Sequence, residues 1–543
     1  MPRLFIVFVC LIGVSAGTSA APPAERRATI FYTGGIHGTL EPCGCTSDPL
    51  GDVARMTGVV RRARQERAGA VLVVDAGNLS YPATEVPARR REATDLRAAF
   101  LAAELPKLPF AGSALGESDL SRGPGQVKPP RLAANLKAPF TTPSRLEEVG
   151  GIKVGVFGLA DPAVAAAGFQ VEDPAAAARR EAASLRQHGA EVVVALVPLE
   201  RPRARQIARA ADVDLVVLGK NVEDGLPQAE AVGKAFLVAP AVELQKLGRI
   251  DLVLRPGGRG LVDAGGPAAV KQRLDELARS LGDLDRQLAA WQKDQGADPA
   301  FVAGKKQERE QLQAEKVRLE QQRWQPPATG SYFTNQLIPM SRALPRDPAL
   351  ASAMRALDKA VGAANLRHAE PPPKAPPGRA SYVGDQACNK CHKKAAAFWK
   401  TTVHAHAWKT LVDGGKTGDD DCVSCHVTGY GEVGGSSLGF TKKLEAIQCE
   451  TCHGPGSIHV KEEGLEDPPA VKLDTPESTC VRCHNPKHSD TFQYQAYLRD
   501  IVGPGHGVQR REKLGMGPTG HQLRSAALAK AKAAGAAVVK AGH

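Results

Sequence analysis

The chain has 543 residues, with 70 Lys and Arg against 58 Asp and Glu, giving a formal net charge of +12. That length exceeds what one hydrophobic core can serve, so two or three domains are expected. The basic residues are spread along the chain without aromatic interleaving, which argues against nucleic acid as a partner and favours acidic redox proteins or peripheral contact with an anionic membrane.

At the N-terminus Arg3 precedes an apolar run from Leu4 to Val14, followed by small residues around Thr18, Ser19, Ala20 and Ala21. This is the pattern of a secretory signal peptide over residues 1–21, cut near residue 20 or 21, and it predicts a periplasmic protein. The run is short for a bilayer span, so an uncleaved anchor is the rival reading. Cys10 would be discarded with the peptide.

From 28 to 260 short apolar runs alternate with helical patterns. Strands are predicted at Ala28–Tyr32, Val71–Val74, Ile152–Phe157, Val192–Val197, Leu215–Leu218, Phe236–Val238 and Ile250–Leu254. Helices are predicted over Val53–Arg67 and Pro174–His188, the second with Pro at its first turn and Gly189 just past its end. Continuous Val/Ile/Leu runs imply strands buried on both faces, hence an α/β domain.

Residues 266–325 read differently. Leu274, Leu277, Leu281, Leu284, Leu288 and Trp291 repeat at alternating steps of three and four, the seam of a coiled coil. Gly296 and Pro299 interrupt it before a charged stretch returns through Leu312 and Leu319, which favours an antiparallel helical hairpin over a dimerising coiled coil. A helical extension is expected over 326–366, with Leu350, Met354, Leu357 and Val361 on one face. Residues 367–380 are Pro-rich and read as a stiff linker. A chemically distinct domain follows over 381–508, then a basic Ala/Lys-rich tail over 509–543, expected to be partly helical and mobile.

The 381–508 segment carries the decisive chemistry. Cys-x-x-Cys-His occurs four times, at Cys388/Cys391/His392, Cys422/Cys425/His426, Cys449/Cys452/His453 and Cys480/Cys483/His484, using eight of the eleven cysteines. In c-type haem attachment both thiols bond the porphyrin and the adjoining histidine ligates iron. Zinc ribbons and thioredoxin-like pairs share Cys-x-x-Cys but do not need the histidine. Four covalently bound haem c groups are therefore expected, with electron transfer as the function. Under 130 residues cannot bury a conventional core around four haems, so the porphyrins must form much of it.

The segment contains no methionine, so His/Met ligation is not available to most sites. Five further histidines are candidate distal ligands, ranked His404, His406 and His459 first, then His506 and His488.

The four motifs, the Phe398-Trp399 to His404-Ala-His406-Ala-Trp408 stretch, Cys425-His426-Val-Thr-Gly429-Tyr430 and Cys452-His453-Gly-Pro-Gly-Ser-Ile-His459 together resemble the cytochrome c554 family of tetrahaem proteins. The resemblance covers about a quarter of the chain. It implies periplasmic electron transfer through mostly bis-histidine haems, with one haem open to a small nitrogen or sulfur compound as an alternative, enzymatic reading. Redox partner proteins follow from it, such as other periplasmic cytochromes or a membrane quinol-oxidising complex.

The first domain resembles the calcineurin-like metallophosphoesterases, especially the 5′-nucleotidase branch. The resemblance rests on Tyr32 to Pro42, Val73 to Asn78, Ala114 to Asp119, Ala195 to Leu199 and Asp214 to Val222. It implies a sandwich-like α/β fold, but the metal-binding positions depart from the pattern. Gly35 stands at the first aspartate, Asn78 at the bridging aspartate, Glu117 and Ser118 at the Asn-His pair, and Pro198, Lys220 and Val222 at later histidines. His37 alone remains of the expected ligands. A two-metal site needs several carboxylate and imidazole donors, so neither a dinuclear centre nor phosphoester hydrolysis is expected; a working nucleotidase is the third reading. Cys43-Gly44-Cys45 follows the first strand as either a local disulfide or a redox pair facing the haem domain. Glu41 and Asp48 read as solvated loop charges. The expected architecture is thus multidomain: an α/β metallophosphatase-like sandwich, a helical hairpin and a mostly helical, irregular multihaem domain.

Overall fold

A computed structural model describes residues 25–42, 44–128, 130–220, 222–257, 260–291, 299–321, 324–465 and 471–541. The expected signal segment, Cys43, Asn221 and Gly296 lie outside the described residues.

Two mixed sheets form the first domain. Edge to edge, the seven-stranded sheet runs Leu261–Asp263, Ser331–Pro339, Lys246–Leu254, Arg26–Thr33, Val71–Asp75, Phe110–Ala114 and Arg131–Leu132. The six-stranded sheet runs Ser144–Val149, Ile152–Gly158, Val192–Val197, Leu215–Leu218, Ala235–Val238 and Glu230–Val232. All seven strands expected in this region are present.

Alternation along the strands decides the layering. Ile30, Leu72 and Val74 face Ile152, Val154, Val156, Val194 and Leu196 in one cluster between the sheets. Phe31, Val71 and Val73 point outward to the helices Val53–Glu66 and Pro348–Arg367 through Met56, Val60, Leu350 and Met354. On the far side Val193, Ala195 and Val197 pack under Pro174–Gln187 and Arg201–Ala210. Each fully buried Val, Leu or Ile stabilises this four-layer stack by about 1.5–3 kcal/mol relative to exposure.

The helix starts follow their caps. The Asp52 carboxylate accepts from the backbone N–H of Ala54 at 2.8 Å, and that of Asp173 from Ala176 at 2.8 Å. Pro174 opens its helix, and Gly189 follows the end at φ +91°.

Pro348–Arg367 is the expected helix with Leu350, Met354 and Val361 buried, but residues 326–347 differ from the expected helical extension. Ser331–Pro339 is a strand, antiparallel to Lys246–Leu254 and parallel to Leu261–Asp263, so the α/β domain does not end at residue 260. Phe333 is fully buried in the inter-sheet cluster, and the Tyr32 hydroxyl donates to Asn335 Oδ1 at 2.7 Å. Between these strands Pro267–Trp291 and Pro299–Gln321 form an antiparallel pair. Arg273 meets Glu315 at 2.8 Å, Arg309 meets Asp285 at 2.5 Å, and the Trp291 and Phe301 rings lie 5.1 Å apart.

The C-terminal region consists of short helices and loops and makes one small apolar cluster, on Leu411, Val423, Val427 and Leu438. The Pro-rich segment is bonded to it, since Gly434 N–H donates to the Pro373 carbonyl at 2.6 Å. Gly520–Ala541 forms a long helix, so the tail is more ordered than its composition suggests. Arg499 ties down the segment before that helix by donating to the Leu514 and Pro518 carbonyls.

Polar contacts join the two domains. Asp420 accepts from Arg90 at 2.9 Å and pairs with Arg89 at 3.2 Å, Asp421 pairs with Arg90 at 3.0 Å, and Asp419 lies 3.8 Å from Arg97. Lys416 bridges Glu41 at 2.9 Å and Asp358 at 2.8 Å, which corrects the reading of Glu41 as a solvated charge. Asp48 is also engaged, accepting from Arg342 N–H at 2.9 Å. At the centre of the contact Gly418 meets Gly362 backbone to backbone, and a Cβ on Gly418 would fall 2.6 Å from Gly362.

Burial works to raise the pKa of Asp420, and the Tyr430 hydroxyl and Arg90 more than offset it; Lys416 and Arg346 do the same for Glu41. Both carboxyls therefore titrate below their ordinary range. Their contribution to the contact is present at neutral pH and is lost as the pH falls through the depressed folded values. We expect the contact to weaken only once the pH falls below the ordinary carboxylate range of about 4 and to be lost by about pH 2, read as a rise in radius of gyration by small-angle scattering; an unchanged radius at about pH 2 refutes this ionic clamp.

Candidate haem centres

Each Cys-x-x-Cys-His motif folds as about one helical turn. His392 N–H donates to the Cys388 carbonyl at 2.9 Å, and His484 N–H to the Cys480 carbonyl at 2.8 Å. Cys391, Cys425 and Cys483 donate to the first cysteine of their own motifs at 3.1–3.3 Å. Positions i, i+3 and i+4 of a turn share a face, so both thiols and the imidazole address one side. The motifs also meet in pairs. The Cys388 and Cys449 thiols lie close together, as do those of Cys425 and Cys483, and Cys452 lies near Cys480. Within the Cys425–Cys483 pair the close approach of the thiols lowers Cys425 and raises Cys483; burial raises Cys452 to about 11.

Three of the four motif imidazoles are oriented through Nδ1. That of His426 lies 2.6 Å from the Ala407 carbonyl, that of His453 2.6 Å from the Lys472 carbonyl, and that of His484 3.1 Å from Ser489 Oγ. An Nδ1–H engaged in this way leaves Nε2 with its lone pair free for a metal.

Two of the five candidate distal histidines face a motif ring. His392 and His459 are stacked with centroids 6.2 Å apart and planes 21° apart. His484 and His404 lie 6.1 Å apart at 41°. Two imidazoles bound across one metal, each with its nitrogen about 2 Å from the ion, place their ring centres about 6 Å apart. Burial lowers His404 to about 4 and also lowers His484, keeping both in the neutral, ligating form. His506 lies near His453, with its Nδ1 3.3 Å from the Gly503 carbonyl. His488 lies near Cys425. His406, ranked second from sequence, is exposed, and no motif ring faces it among the described residues.

The metallophosphatase-like positions converge at the ends of the first domain's strands, with different chemistry from a dinuclear site. Lys220 Nζ lies 2.9 Å from Glu117 Oε2 and 3.0 Å from Asp161 Oδ2. Burial opposes its charge, but the two carboxylates more than compensate and raise its pKa. Asn78 Oδ1 accepts from the Ser118 hydroxyl at 3.1 Å, and a Cβ on Gly77 would meet Pro198. His37 Nδ1 is buried without a hydrogen-bond partner. Asp75 is wholly buried and accepts from Ser113 at 2.6 Å, Thr33 at 2.8 Å and Gly77 N–H at 2.9 Å. His37 and Asn78 hold φ of 55° and 54°, and nearby Glu243 holds 52°, a grouping of strained backbone found at ligand clefts. Among the described residues no group of three or more His, Cys, Asp or Glu is arranged to hold a metal ion.

Sequence reading missed the supports of this cleft. Asp119 accepts from Asn78, Leu79, Ser80 and Gly116 N–H and from Arg131 at 3.1 Å, the last pair being almost wholly buried. Asp161, which holds Lys220, carries no local motif either.

Comparison with known proteins bears on part of the C-terminal region. Residues 387–454 match the family of cytochrome c554 and c-prime. The first three motifs lie in that span and the fourth beyond it. Cytochrome c-554 of Nitrosomonas europaea is 40% identical over 93 residues, which is 14% of this chain and 40% of that protein. This chain thus spans less than half of the curated relative it matches. The reduced state of cytochrome c554 from Nitrosomonas europaea aligns at 28% identity over 20% of this chain and 66% of that one, with a TM-score of 0.17. The 5′-nucleotidase precursor from Thermus thermophilus aligns at 17% identity over 72% of this chain and 68% of that one, with a TM-score of 0.43.

Covalently bound haem c fits the C-terminal region's own donors: paired thiols on one turn, an adjoining imidazole, and, at the first and fourth motifs, a second imidazole at the correct span. The surrounding surface also fits, since Val403, Val412, Phe440, Val460, Leu465, Leu473 and Val481 are exposed large apolar side chains suited to porphyrin faces.

Replacing Lys220 by Met leaves Asp161, only 5% exposed, and Glu117 without their cation. We expect about 1–3 kcal/mol loss of first-domain stability, measured as a lower thermal midpoint by circular dichroism; an unchanged midpoint would show that the lysine is not structural.

Proposed function

We propose that this protein is a periplasmic electron-transfer cytochrome carrying four covalently attached haem c groups, and that its metallophosphatase-like domain is a non-hydrolytic platform for them. The observation that carries this reading is the pair of imidazole couples, His392 with His459 and His484 with His404, at 6.1–6.2 Å. They couple two of the attachment motifs to distal imidazoles, as bis-histidine ligation needs. His506 is assigned to the His453 iron by proximity. The thiol contacts pair the first motif with the third and the second with the fourth, keeping neighbouring sites close enough for electron hopping. The bound groups supply one-electron redox chemistry, and the chain fixes their spacing, axial fields and exposure.

The tethered ammonium of Lys220 between two carboxylates supports the non-hydrolytic reading, because it supplies within the chain the positive charge that metal ions bring to a phosphatase cleft. Export rests on the N-terminal pattern and on the attachment chemistry. Among the described residues no helix is long and apolar enough to cross a membrane. Redox proteins of the same compartment, cytochromes or a quinol-oxidising complex, are the partners this chemistry serves.

A second reading has one observation behind it. Among the described residues no second imidazole ring faces that of His426 or His453, so these two sites are the ones where iron could bind a small nitrogen or sulfur compound.

Iron-to-protein stoichiometry and pyridine haemochrome absorbance test the main reading, with four haems per chain expected. In electron paramagnetic resonance, His404→Ala and His459→Ala are each expected to convert one low-spin haem to high-spin, while His406→Ala leaves the spectrum unchanged. Unaltered spectra in both distal variants would overturn the ligand assignment. A high-spin signal in the unmodified protein that shifts on adding nitric oxide would favour the second reading.

Hydrolysis of nucleotide monophosphates with added manganese or zinc is expected to stay at background. Clear turnover abolished by His37→Ala would reverse the reading of the cleft.

A further inference from the structure

The four attachment motifs have very different electrostatic surroundings. Asp419, Asp420 and Asp421 precede the second motif and face arginines of the first domain. Near the fourth, Arg482 pairs with Glu432 at 2.7 Å and Lys487 with Glu243 at 3.2 Å. The third contains Glu450, whose buried carboxylate accepts from Val383, Gly384 and Gly456 N–H.

The first motif is different. Lys390, Lys393, Lys394 and Lys400 beside Cys391 and His392 are exposed. Lys442 and Lys443 are also exposed, and their loop lies against the start of the first motif's helix: a Cβ on Gly384 would meet the Lys443 carbonyl at 2.6 Å. The Cys388 thiol lies against the Gly384 carbonyl at 3.8 Å. None of these six lysines has an ion-pair partner among the described residues. Asp385 and Glu445 are the partly exposed carboxylates beside these six lysines, and Glu450 is buried, so the lysines outnumber the accessible acids and the face is net positive.

We propose that this face, centred on Cys391 and His392, is the docking surface for an acidic one-electron protein. The proposal rests on the electron-transfer reading above and adds where exchange occurs and with what kind of partner. Unpaired lysines keep their full field in water, and a concentrated field of one sign steers an oppositely charged partner into encounter. The first domain covers the approach to the second motif, and the basic groups near the fourth are already neutralised by partners. One electron crosses at the docking face: the partner's redox group is oxidised by one and a ferric iron becomes ferrous, or the reverse, with no group transferred. An anionic membrane would also attract lysines, but the charge surrounds the attachment point itself, which serves a partner that must come close to the redox group.

The test uses the full, haem-loaded chain with flavodoxin as an acidic one-electron probe, and phosphatidylserine vesicles as the lipid arm. Binding is measured by calorimetry, and electron exchange by stopped-flow absorbance, between about 20 and 300 mM salt. The unmodified protein is expected to bind flavodoxin at low salt and to lose about tenfold in exchange rate across that range. Combined substitution Lys390→Gln, Lys393→Gln, Lys394→Gln and Lys400→Gln is expected to weaken binding at least about tenfold and to flatten the salt dependence. Soret absorbance and midpoint potentials report that this variant remains folded and loaded. Lys234→Gln, on an exposed turn of the first domain, is expected to behave as the unmodified protein. Unmodified protein that does not bind flavodoxin, a four-site variant that binds and exchanges as before, or a charge-dependent interaction with vesicles alone each overturns the proposal. Failure of dithionite to reduce the loaded protein would instead defeat the electron-transfer reading, and this surface with it.

Discussion

Burial of apolar side chains cannot by itself organise the C-terminal region, because its one sizeable cluster rests on Leu411, Val423, Val427 and Leu438. Order there comes from directional contacts. Thiols meet across motifs, imidazoles face imidazoles, and Nδ1 atoms are held by backbone carbonyls. Such contacts specify distance and angle far more tightly than apolar packing does, which suits a region whose task depends on fixed separations between redox groups. Covalent attachment then completes a core that the polypeptide only outlines.

The α/β domain solves the opposite problem. Its two sheets share a dense apolar layer, and its cleft is braced by buried polar knots at Asp75, Asp119 and Arg131. It offers a rigid base, and the cytochrome region is held to that base by arginines and by direct contact between Gly362 and Gly418. Such a seat has little tolerance for sliding, since any side chain at the contact would collide with main chain. The proposed platform role follows from this rigidity more than from any chemistry left in the cleft.

What could be read from sequence depended on how local each signal is. Val192–Val197 and Leu215–Leu218 announce themselves because every residue is apolar and β-prone. Phe110–Ala114 does not, since Ala111, Gly112, Ser113 and Ala114 lack bulk, and this strand owes its place to its neighbours. Ser331–Pro339 was hidden for another reason: it returns to the sheet after the helical hairpin, and its polar Thr334, Asn335 and Gln336 show no strand-like run. The attachment motifs were legible because thioether chemistry fixes their spacing. Distal pairing was not, because His404 meets His484, and His392 meets His459, only through the fold. The same limit hid the interdomain clamp, where Asp419 to Asp421 look like a solvated charge run until Arg89, Arg90 and Arg97 are brought opposite.

Lys220 carries a consequence for biogenesis. A cleft that depends on dications takes its final shape only after export, and only where those ions are supplied. On the proposed non-hydrolytic reading the compensating charge is part of the polypeptide and arrives with translation, so the first domain would mature without drawing on a metal pool. Haem loading would then be the step that waits on an outside supply.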